Sequence, residues 1–278
     1  MHFVYNIHDI FPGSAYDIGV LKNRVLDRIF RFLQKFAYRR CKKIIAMSDD
    51  MKEKLLEENV PENKIVVINS WFDSDSVKYI SNEENTFIKE YNIDCSKLII
   101  QFAGNVGQVF GLYEFATLVN LLKDNKDIQF HIIGSGVKLD LLKELTNTCN
   151  NILFFPWQHQ SRMSEIYSYC DIEIIPLHKG VIGNDVPSKI ALAMSCGKPI
   201  LNIVERSHYF DMFEENTIGF SFEHDEINLI KSLLEKILDD KNMLKKYEDY
   251  TKNFAISYFS KSKNTDLVLK CIEDFFNN

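Results

Sequence analysis

The chain has 278 residues, of which 46% are hydrophobic and 26% are charged, and its formal net charge is −6. This is the composition of a globular protein with room for two domains, and the acidic balance disfavours a general nucleic-acid binder. The six cysteines are scattered without a CxxC pair, which is typical of reduced thiols rather than of a zinc site. No apolar run reaches the roughly 20 residues of a membrane span, and the first residues lack the features of a signal peptide. We therefore expect a cytoplasmic protein.

Apolar runs alternate with amphipathic segments from the beginning of the chain. HFVYNI predicts a strand, residues 21–40 a helix, KKIIAMS a strand, DDMKEKLLEENV a helix and NKIVVINSWF a strand. The polar stretch DSDSVKYISNEEN has no periodicity and predicts a connection between domains. Its DSD triplet, residues 73–75, resembles a metal-binding pattern, but carboxylates at such a position usually cap a turn. We predict no metal there.

The alternation becomes more regular after this connection. KLIIQFAG, IQFHIIG, NILFFP, DIEIIPL, KPILNIV and GFSF predict strands, with amphipathic helices between most of them and a long helix near residues 227–238. Strands separated by helices of this length form βαβ units, so the sequence predicts an α/β fold with parallel sheets. We predict a partial N-terminal domain over residues 1–90, a complete doubly wound domain over 91–250, and a C-terminal helix over 251–278 that packs back toward the first domain.

Three loops at predicted strand ends carry glycines or a cation. Ligands of open α/β sheets bind outside the carboxyl ends of the strands, and backbone approaches a ligand closely at glycine because no Cβ intervenes. In NDVPSKIALAMSCGKPIL, Pro187 marks a first helical turn, so Lys189 lies where the helix dipole disfavours a cation unless an anion is bound. The loops therefore predict a diphosphate and nucleoside site. The alternatives are ordinary tight turns at the glycines and a solvated surface lysine. The glycines are Gly104, Gly107, Gly111, Gly134 and Gly136.

Residues 21–43 combine nine basic residues with a single acidic one, Asp27, and with interleaved aromatic and aliphatic side chains. A basic, aromatic helix in a net-acidic protein is suited to an anionic membrane surface. The alternative is a solvated face over a buried apolar stripe, and nucleic acid is not expected as a partner. This segment therefore predicts a peripheral position on the inner face of the cell membrane or a purely structural role.

Four segments carry a resemblance to a known family. FAGNVG, FHIIGSG, ILFFPW…YSYCDIEIIPL and VPSKIALAMSCGKPIL resemble, in order and spacing, the C-terminal domain of family 4 retaining glycosyltransferases, and residues 8–48 resemble the branch that makes bacterial surface polysaccharides. The resemblance covers nearly the whole chain. It implies a GT-B fold, in which two Rossmann-like domains face each other across a cleft. It also implies a nucleotide diphosphate-sugar donor, UDP- or GDP-linked, a lipid-linked or saccharide acceptor, and no cofactor or metal.

The same resemblance implies roles for individual residues. Lys189 would be the counter-charge of the diphosphate and, with the amides of residues 104–107, would assist departure of the leaving group. His8 and Asp9 would align the acceptor or support the leaving group, and the alternative is a local turn. His178 and Lys179 are further candidates near the donor, and His131 is expected in the core. The implied donor-binding residues are Gly104, Asn105, Val106, Gly107, Gln108, Gly134, Ser135, Gly136, Asn184, Val186, Pro187, Ser188, Lys189 and Leu192.

The sequence departs from the family pattern in the site and in the first domain. The family usually has two glutamates eight positions apart, and their places hold Asn184 and Leu192. Leu192 cannot accept a bond from a ribose hydroxyl, so affinity should fall or the nucleoside contact should differ. Gln108 stands where an arginine is frequent. Several β–α units that normally precede the loop at His8 are missing, which would leave edges and apolar faces uncovered. We expect a partner chain that completes the domain, or a truncated reading frame.

These observations favour a hexosyltransferase-type enzyme of cell-surface polysaccharide synthesis that transfers a sugar with retention to a lipid-linked or saccharide acceptor. Two alternatives remain at this stage. One is a non-catalytic nucleotide-sugar-binding half, or pseudoenzyme, that needs a partner chain. The other is a sugar-nucleotide epimerase on the same fold.

Overall fold

Two parallel β-sheets organise the chain. The computed structural model describes residues 3–13, 19, 23–73, 77–184, 187 and 189–277. A three-stranded sheet has the order β1-β2-β3, and a six-stranded sheet has the order β6-β5-β4-β7-β8-β9, with parallel pairing throughout. The predicted α/β architecture is confirmed. The strands are β1 (Val4–Asn6), β2 (Lys43–Ala46), β3 (Ile65–Val67), β4 (Leu98–Asn105), β5 (Ile128–Ser135), β6 (Ile152–Phe155), β7 (Ile172–Pro176), β8 (Ile200–Ile203) and β9 (Gly219–Phe222).

Helices separate most of the strands, as parallel pairing requires. Two of them, over Thr86–Tyr91 and His208–Glu215, have no counterpart among the predicted elements. Short 3₁₀ turns occupy Glu62–Lys64, Gln160–Arg162 and Lys241–Leu244. The α-helices are α1 (Arg24–Arg40), α2 (Asp49–Glu57), α3 (Thr86–Tyr91), α4 (Leu112–Leu121), α5 (Leu139–Leu145), α6 (Met163–Tyr169), α7 (Ile190–Ser195), α8 (His208–Glu215), α9 (Ile227–Asp239), α10 (Lys245–Tyr258) and α11 (Lys261–Asn277).

Side-chain caps fix where several helices begin. The Asn23 side chain accepts from the amides of residues 25 and 26 at the start of α1, and the Ser48 hydroxyl accepts from the amide of residue 51 in α2. Asn85 and Ser207 cap α3 and α8 in the same way. Each cap pairs an amide that would otherwise lack a partner in the first turn. These caps explain how α3 and α8 form although they are only one and a half to two turns long.

The six-stranded sheet is buried on both faces. One face, with Ile99, Ala103 and Ile175, packs in a cluster that also includes side chains of α6, α7 and α8. The other face, with Ile100 and Ile174, packs in a cluster that includes side chains of α4 and α9. A sheet covered on both faces needs apolar side chains at successive positions, which is why these strands are continuous apolar runs rather than alternating ones.

The three-stranded sheet has a smaller core and contacts the C-terminal helix. Ile44 and Ala46 pack with Met51 and Leu55 of α2 on one face. On the other face, Ile45 and Ile68 pack with Cys271 of α11. The boundaries 1–90, 91–250 and 251–278 stay a prediction. Asn85, just before α3, donates its amide to the Glu165 carbonyl in α6 at 2.8 Å, which attaches the connection to the larger unit.

Asp50, at the start of α2, links the two sheets. Its carboxylate accepts hydrogen bonds from the backbone amides of His208 and Tyr209, both at 2.8 Å, at the N-terminus of α8. The His208 ring lies 2.8 Å from the Glu53 carboxylate beside it, and this contact raises the pKa of the imidazole. A carboxylate at a helix N-terminus satisfies free amides and complements the dipole. The six cysteines are free thiols, and none of the helices in the described ranges has the length and apolarity needed to cross a bilayer.

Candidate functional site

A cavity of about 430 Å³ lies at the carboxyl ends of β4 and β7. These strands share only two register pairs, Ile100 with Ile172 and Gln101 with Glu173, whereas β4 and β5 share eight. Beyond these pairs the loop after β4 lies alongside β7, with the Gly111 amide donating to the Pro176 carbonyl at 2.9 Å. Sheet order reverses between β4 and β7, and open α/β sheets bind ligands at this point.

The cavity wall is largely apolar, and Lys189 is the charged member of its described lining. The Lys189 Nζ atom lies 3.4 Å from the centroid of the Phe102 ring, a cation–π distance. A Cβ atom added to Gly104 would lie 2.8 Å from the same Nζ atom, and Gly104 has a φ of +151°. The structure therefore brings the predicted lysine and the first predicted glycine turn together in one cavity.

Glu173 is the second residue of β7 and is completely buried. Its carboxylate accepts one hydrogen bond from the Gln101 amide and one from the Ala103 backbone amide, each at 3.0 Å. Burial raises the pKa of Glu173 to about 7, against the lowering effect of the Lys189 charge. Burial lowers the pKa of Lys189 to about 8, and Glu173 opposes that shift. Glu173 is not among the predicted site residues, although a charged residue within the apolar run DIEIIPL is the signal that could have identified it.

The two glycine loops pack directly on each other. A Cβ atom at Gly134 would overlap the Gly104 carbonyl, one at Gly136 would overlap the Val106 carbonyl, and both glycines have positive φ. The Val106 amide donates to the Ser135 carbonyl at 2.8 Å across the same contact. Loop packing accounts for the glycine at both positions, as the tight-turn alternative expects, and the predicted role of Gly134 and Gly136 in donor binding stays a prediction.

The other predicted donor-binding residues differ in whether they line the cavity. Asn105 and Pro187 line the cavity. The Val106 side chain is fully buried in the core, so only its backbone is available to a ligand. Of the rest, Gly107 is buried, and Gln108 and Ser135 are exposed outside the described lining. Val186 and Ser188 lie outside the described residues.

The two positions that replace the family's glutamates have buried or half-buried side chains. Asn184 is completely buried, and its amide donates to the Gly180 carbonyl at 2.8 Å. Leu192 is half-buried and packs against the hydrophobic core. The structure brings neither side chain into the described lining of the cavity. Two lining residues were not predicted, Trp157 and Gln158. They follow β6 after Pro156, and Trp157 is 64% exposed.

The loop at His8 and Asp9 adjoins the segment before α7. The Ile10 amide donates to the Asn184 carbonyl at 3.1 Å, which attaches the first unit to this segment. His8 and Asp9 are exposed and do not line the cavity, and the His8 Nε2 atom lies 3.2 Å from the Asn6 amide nitrogen. Their predicted role at the acceptor stays a prediction.

The remaining candidate residues lie outside the described lining of the cavity and contact other parts of the protein. His131 is buried, its Nδ1 atom lies 3.0 Å from the Tyr169 hydroxyl, and burial lowers its pKa to about 3, as a core histidine requires. His178 and Lys179 are exposed, and the His178 ring contacts the Lys179 carbonyl. Asp73 pairs with Lys261 at 2.9 Å, while residues 74 and 75 lie outside the described part of the chain. Within that part, no group of three or more His, Cys, Asp or Glu side chains is arranged to hold a metal ion.

Two family models match the chain. The model described as glycosyl transferases group 1 matches residues 83–254, more than half of the chain, and the model described as glycosyltransferase family 4 matches residues 1–76. The chain therefore belongs to the group 1 glycosyltransferases.

Individual relatives agree with this assignment. The probable glycosyltransferase WbjE of Pseudomonas aeruginosa is 28% identical over 244 residues, 85% of this chain. The chain spans 60% and 64% of the length of the curated relatives it matches. Anabaena Alr3699/HepE, solved in complex with UDP-glucose, has a TM-score of 0.79 at 15% identity over 98% of this chain and 72% of that one. WaaG, a glycosyltransferase involved in lipopolysaccharide biosynthesis, has a TM-score of 0.68 at 16% identity over 95% and 74%. The fold is GT-B, as predicted.

Proposed function

We propose that this chain transfers a sugar, with retention, from a UDP- or GDP-linked donor to a lipid-linked or saccharide acceptor in the synthesis of a cell-surface polysaccharide. The observation that carries the proposal is the Lys189 ammonium beside the Gly104 turn, in a cavity at the switch point of the sheet. A diphosphate placed there would meet a positive charge and backbone amides. Both would stabilise the negative charge that develops on the leaving nucleotide.

The names of similar proteins support the classes of donor and acceptor. HepE was solved with UDP-glucose, and WaaG acts in lipopolysaccharide biosynthesis. Retention and the surface-polysaccharide branch rest on the resemblance of the sequence motifs. The nucleoside contact would differ from the family pattern, because neither Asn184 nor Leu192 belongs to the described lining of the cavity. Trp157 and Gln158 offer an aromatic face and an amide in the cavity lining, and we assign the base to them.

Titration calorimetry with UDP and with GDP tests the donor site. We expect one of the two nucleotides to bind with a Kd between about 1 μM and about 1 mM, the range in which enzymes usually bind their substrates. Turnover of the matching labelled nucleotide-sugar then tests catalysis. Absence of binding to both nucleotides by folded protein would contradict the proposal. Binding without turnover would support the pseudoenzyme alternative, which the missing carboxylates at Asn184 and Leu192 favour.

We also propose that α1 places the enzyme on an anionic membrane surface near a lipid-linked acceptor. Val25 and Phe32 are 64% and 68% exposed, and four further apolar side chains of α1 are exposed with them. Exposed cations flank these side chains. Apolar and cationic groups on one helix are what an anionic interface binds. The apolar group comprises Val25, Leu26, Ile29, Phe32, Leu33 and Phe36, and the exposed cations include Arg24, Arg28, Lys35, Arg39 and Arg40.

Vesicle co-sedimentation tests this placement. Replacing Arg24, Arg28, Lys35 and Arg39 by glutamine should weaken binding to phosphatidylglycerol-containing vesicles, by about 1 kcal/mol for each cation. A control variant loses the same number of exposed charges from the larger unit, at Lys123, Lys126, Lys236 and Lys245. Equal binding by the wild type and the α1 variant, or an equal loss in the control, would contradict membrane docking through α1.

A further inference from the structure

The gap between β4 and β7 contains a completely buried carboxylate that no substrate contact explains. Glu173 pairs in register with Gln101, and its two hydrogen-bond donors both belong to β4. The Ala103 amide, which would otherwise face the open gap between the strands, donates to the Glu173 side chain instead of to β7. A carboxylate buried at this depth is costly unless it is paired and has hydrogen-bond donors.

We propose that Glu173 is a positioning residue of the donor site, whose anchored carboxylate keeps the Lys189 side chain charged and directed into the cavity until a pyrophosphate binds. This inference rests on the proposed function, because it gives Lys189 the diphosphate as its ligand. Glu173 would not touch the substrate. It would act through the ammonium alone.

An ammonium group is costly to hold in this largely apolar cavity. Burial favours the neutral amine and lowers the pKa of Lys189 to about 8. The Phe102 ring compensates part of this cost through its negative face. The Glu173 carboxylate is held by the Ala103 amide, between the two residues that the Lys189 Nζ atom approaches, Phe102 and Gly104, so the two charges are close together. Glu173 thus supplies the opposing charge and raises the pKa of Lys189 above the value that burial alone would give. Without that carboxylate, the lysine would lose its proton at a lower pH and would lose its attraction for a diphosphate.

The other titratable groups around Glu173 are neutral at physiological pH. Burial raises the pKa values of Tyr167 and Tyr169 in α6 and of Cys170 before β7, so all three keep their protons. His131 on β5 is neutral because burial lowers its pKa to about 3. Among the described residues, the charge acting on Lys189 is therefore that of Glu173.

Gln101 makes the site tolerant of a neutral residue at position 173. Its Oε1 atom is buried and has no hydrogen-bond partner among the described residues, while its Nε2 atom donates to Glu173. If the Gln101 amide turns over, Oε1 can accept from an amide or a protonated carboxyl at position 173. Glu173→Gln therefore changes the charge and can retain contacts with Gln101 and with the Ala103 amide. The variant is expected to fold.

The test measures UDP affinity across pH for the wild type, Glu173→Gln and a matched control, Asp171→Asn. Asp171 lies two residues before Glu173 and also accepts a backbone amide from β4, that of Ile99 at 2.8 Å, but at the opposite end of the strand pair. We expect wild-type affinity to fall as the pH rises through about 8, where Lys189 deprotonates. In Glu173→Gln this decline should begin about one pH unit lower, giving roughly tenfold weaker binding at alkaline pH.

At about pH 6.5 the same variant should bind UDP about as tightly as the wild type, because Lys189 is still charged and Glu173, with a pKa raised to about 7, is itself mostly protonated. A merely structural role for Glu173 would weaken binding by a similar factor at every pH. That result, or the same pH shift in Asp171→Asn, would overturn the inference. If the wild type binds UDP but Glu173→Gln reproduces its pH profile, the positioning role fails and the donor site stands. If the wild type binds no nucleotide, the proposed function fails first.

Discussion

Replacing Lys189 by methionine is expected to weaken UDP binding about 100-fold at neutral pH. The ammonium is the charged group of the described cavity lining, and a hydrogen bond between an ionised donor and a phosphate oxygen contributes about 1.5–3 kcal/mol. Methionine keeps most of the side-chain volume, so the Phe102 and Gly104 surroundings remain filled. Titration calorimetry of the wild type and the variant with UDP, in the same buffer, measures the difference.

Lys179→Met is the matched control for this prediction. Lys179 is exposed, lies in the loop that precedes α7 and is absent from the described cavity lining, so its loss should change UDP affinity by less than about threefold. Thermal unfolding of both variants checks that folding is intact, because Lys189→Met leaves the buried Glu173 without its counter-charge. Nucleotide affinity that is unchanged in a folded Lys189→Met variant would remove the basis of the donor site.

Replacing Gly134 by alanine is expected to destabilise the larger unit by about 3 kcal/mol or more. Gly134 has a φ of +147°, which side-chain-bearing residues rarely adopt. The added Cβ would also overlap the Gly104 carbonyl oxygen, a backbone atom in a strand that pairs over eight positions and cannot move cheaply. For a unit of this size, such a loss lowers Tm by about 6–12 °C.

Gly107→Ala provides the comparison for Gly134→Ala. At Gly107 the nearest atom to an added Cβ is the Asn105 side-chain amide at 2.8 Å, which can rotate away, and no positive φ is required. We expect a loss below about 1 kcal/mol. Urea unfolding followed by circular dichroism measures both variants. A loss in Gly107→Ala as large as that in Gly134→Ala would show that the loop is rigid for reasons other than backbone overlap.

The regular elements of the fold were predictable because their sequence patterns are local. Buried strands such as IQFHIIG and amphipathic helices such as residues 227–238 have the lengths and periods that the structure shows. α3 and α8 were missed because each is shorter than nine residues and lies in a segment without clear periodicity. Their stability comes from the caps at Asn85 and Ser207 and from packing on the larger unit, which no short window of sequence contains.

The site was predictable only where the residue type and its position in the chain together indicate its chemistry. A lysine in a first helical turn and glycines at strand ends pointed to the same rim, and the structure brings Lys189 and Gly104 together. The surroundings of Asn184 and Leu192 were not predictable, since Asn184 bonds within the loop before α7 and a helix as short as α7 can turn either face to the core. Glu173 was missed because its partner, Lys189, is 16 positions away, and only the separation of β4 from β7 gives the carboxylate its surroundings.

That separation has an evolutionary consequence. Mutations that let β4 and β7 pair along their full length would add backbone hydrogen bonds and stabilise the sheet. They would also close the cavity in which Lys189 lies. Selection for stability and selection for activity therefore act in opposite directions on the residues between β4 and β7. We expect thermostable descendants of this chain to gain stability in the helices and outer strands, and to keep the incomplete pairing of β4 with β7.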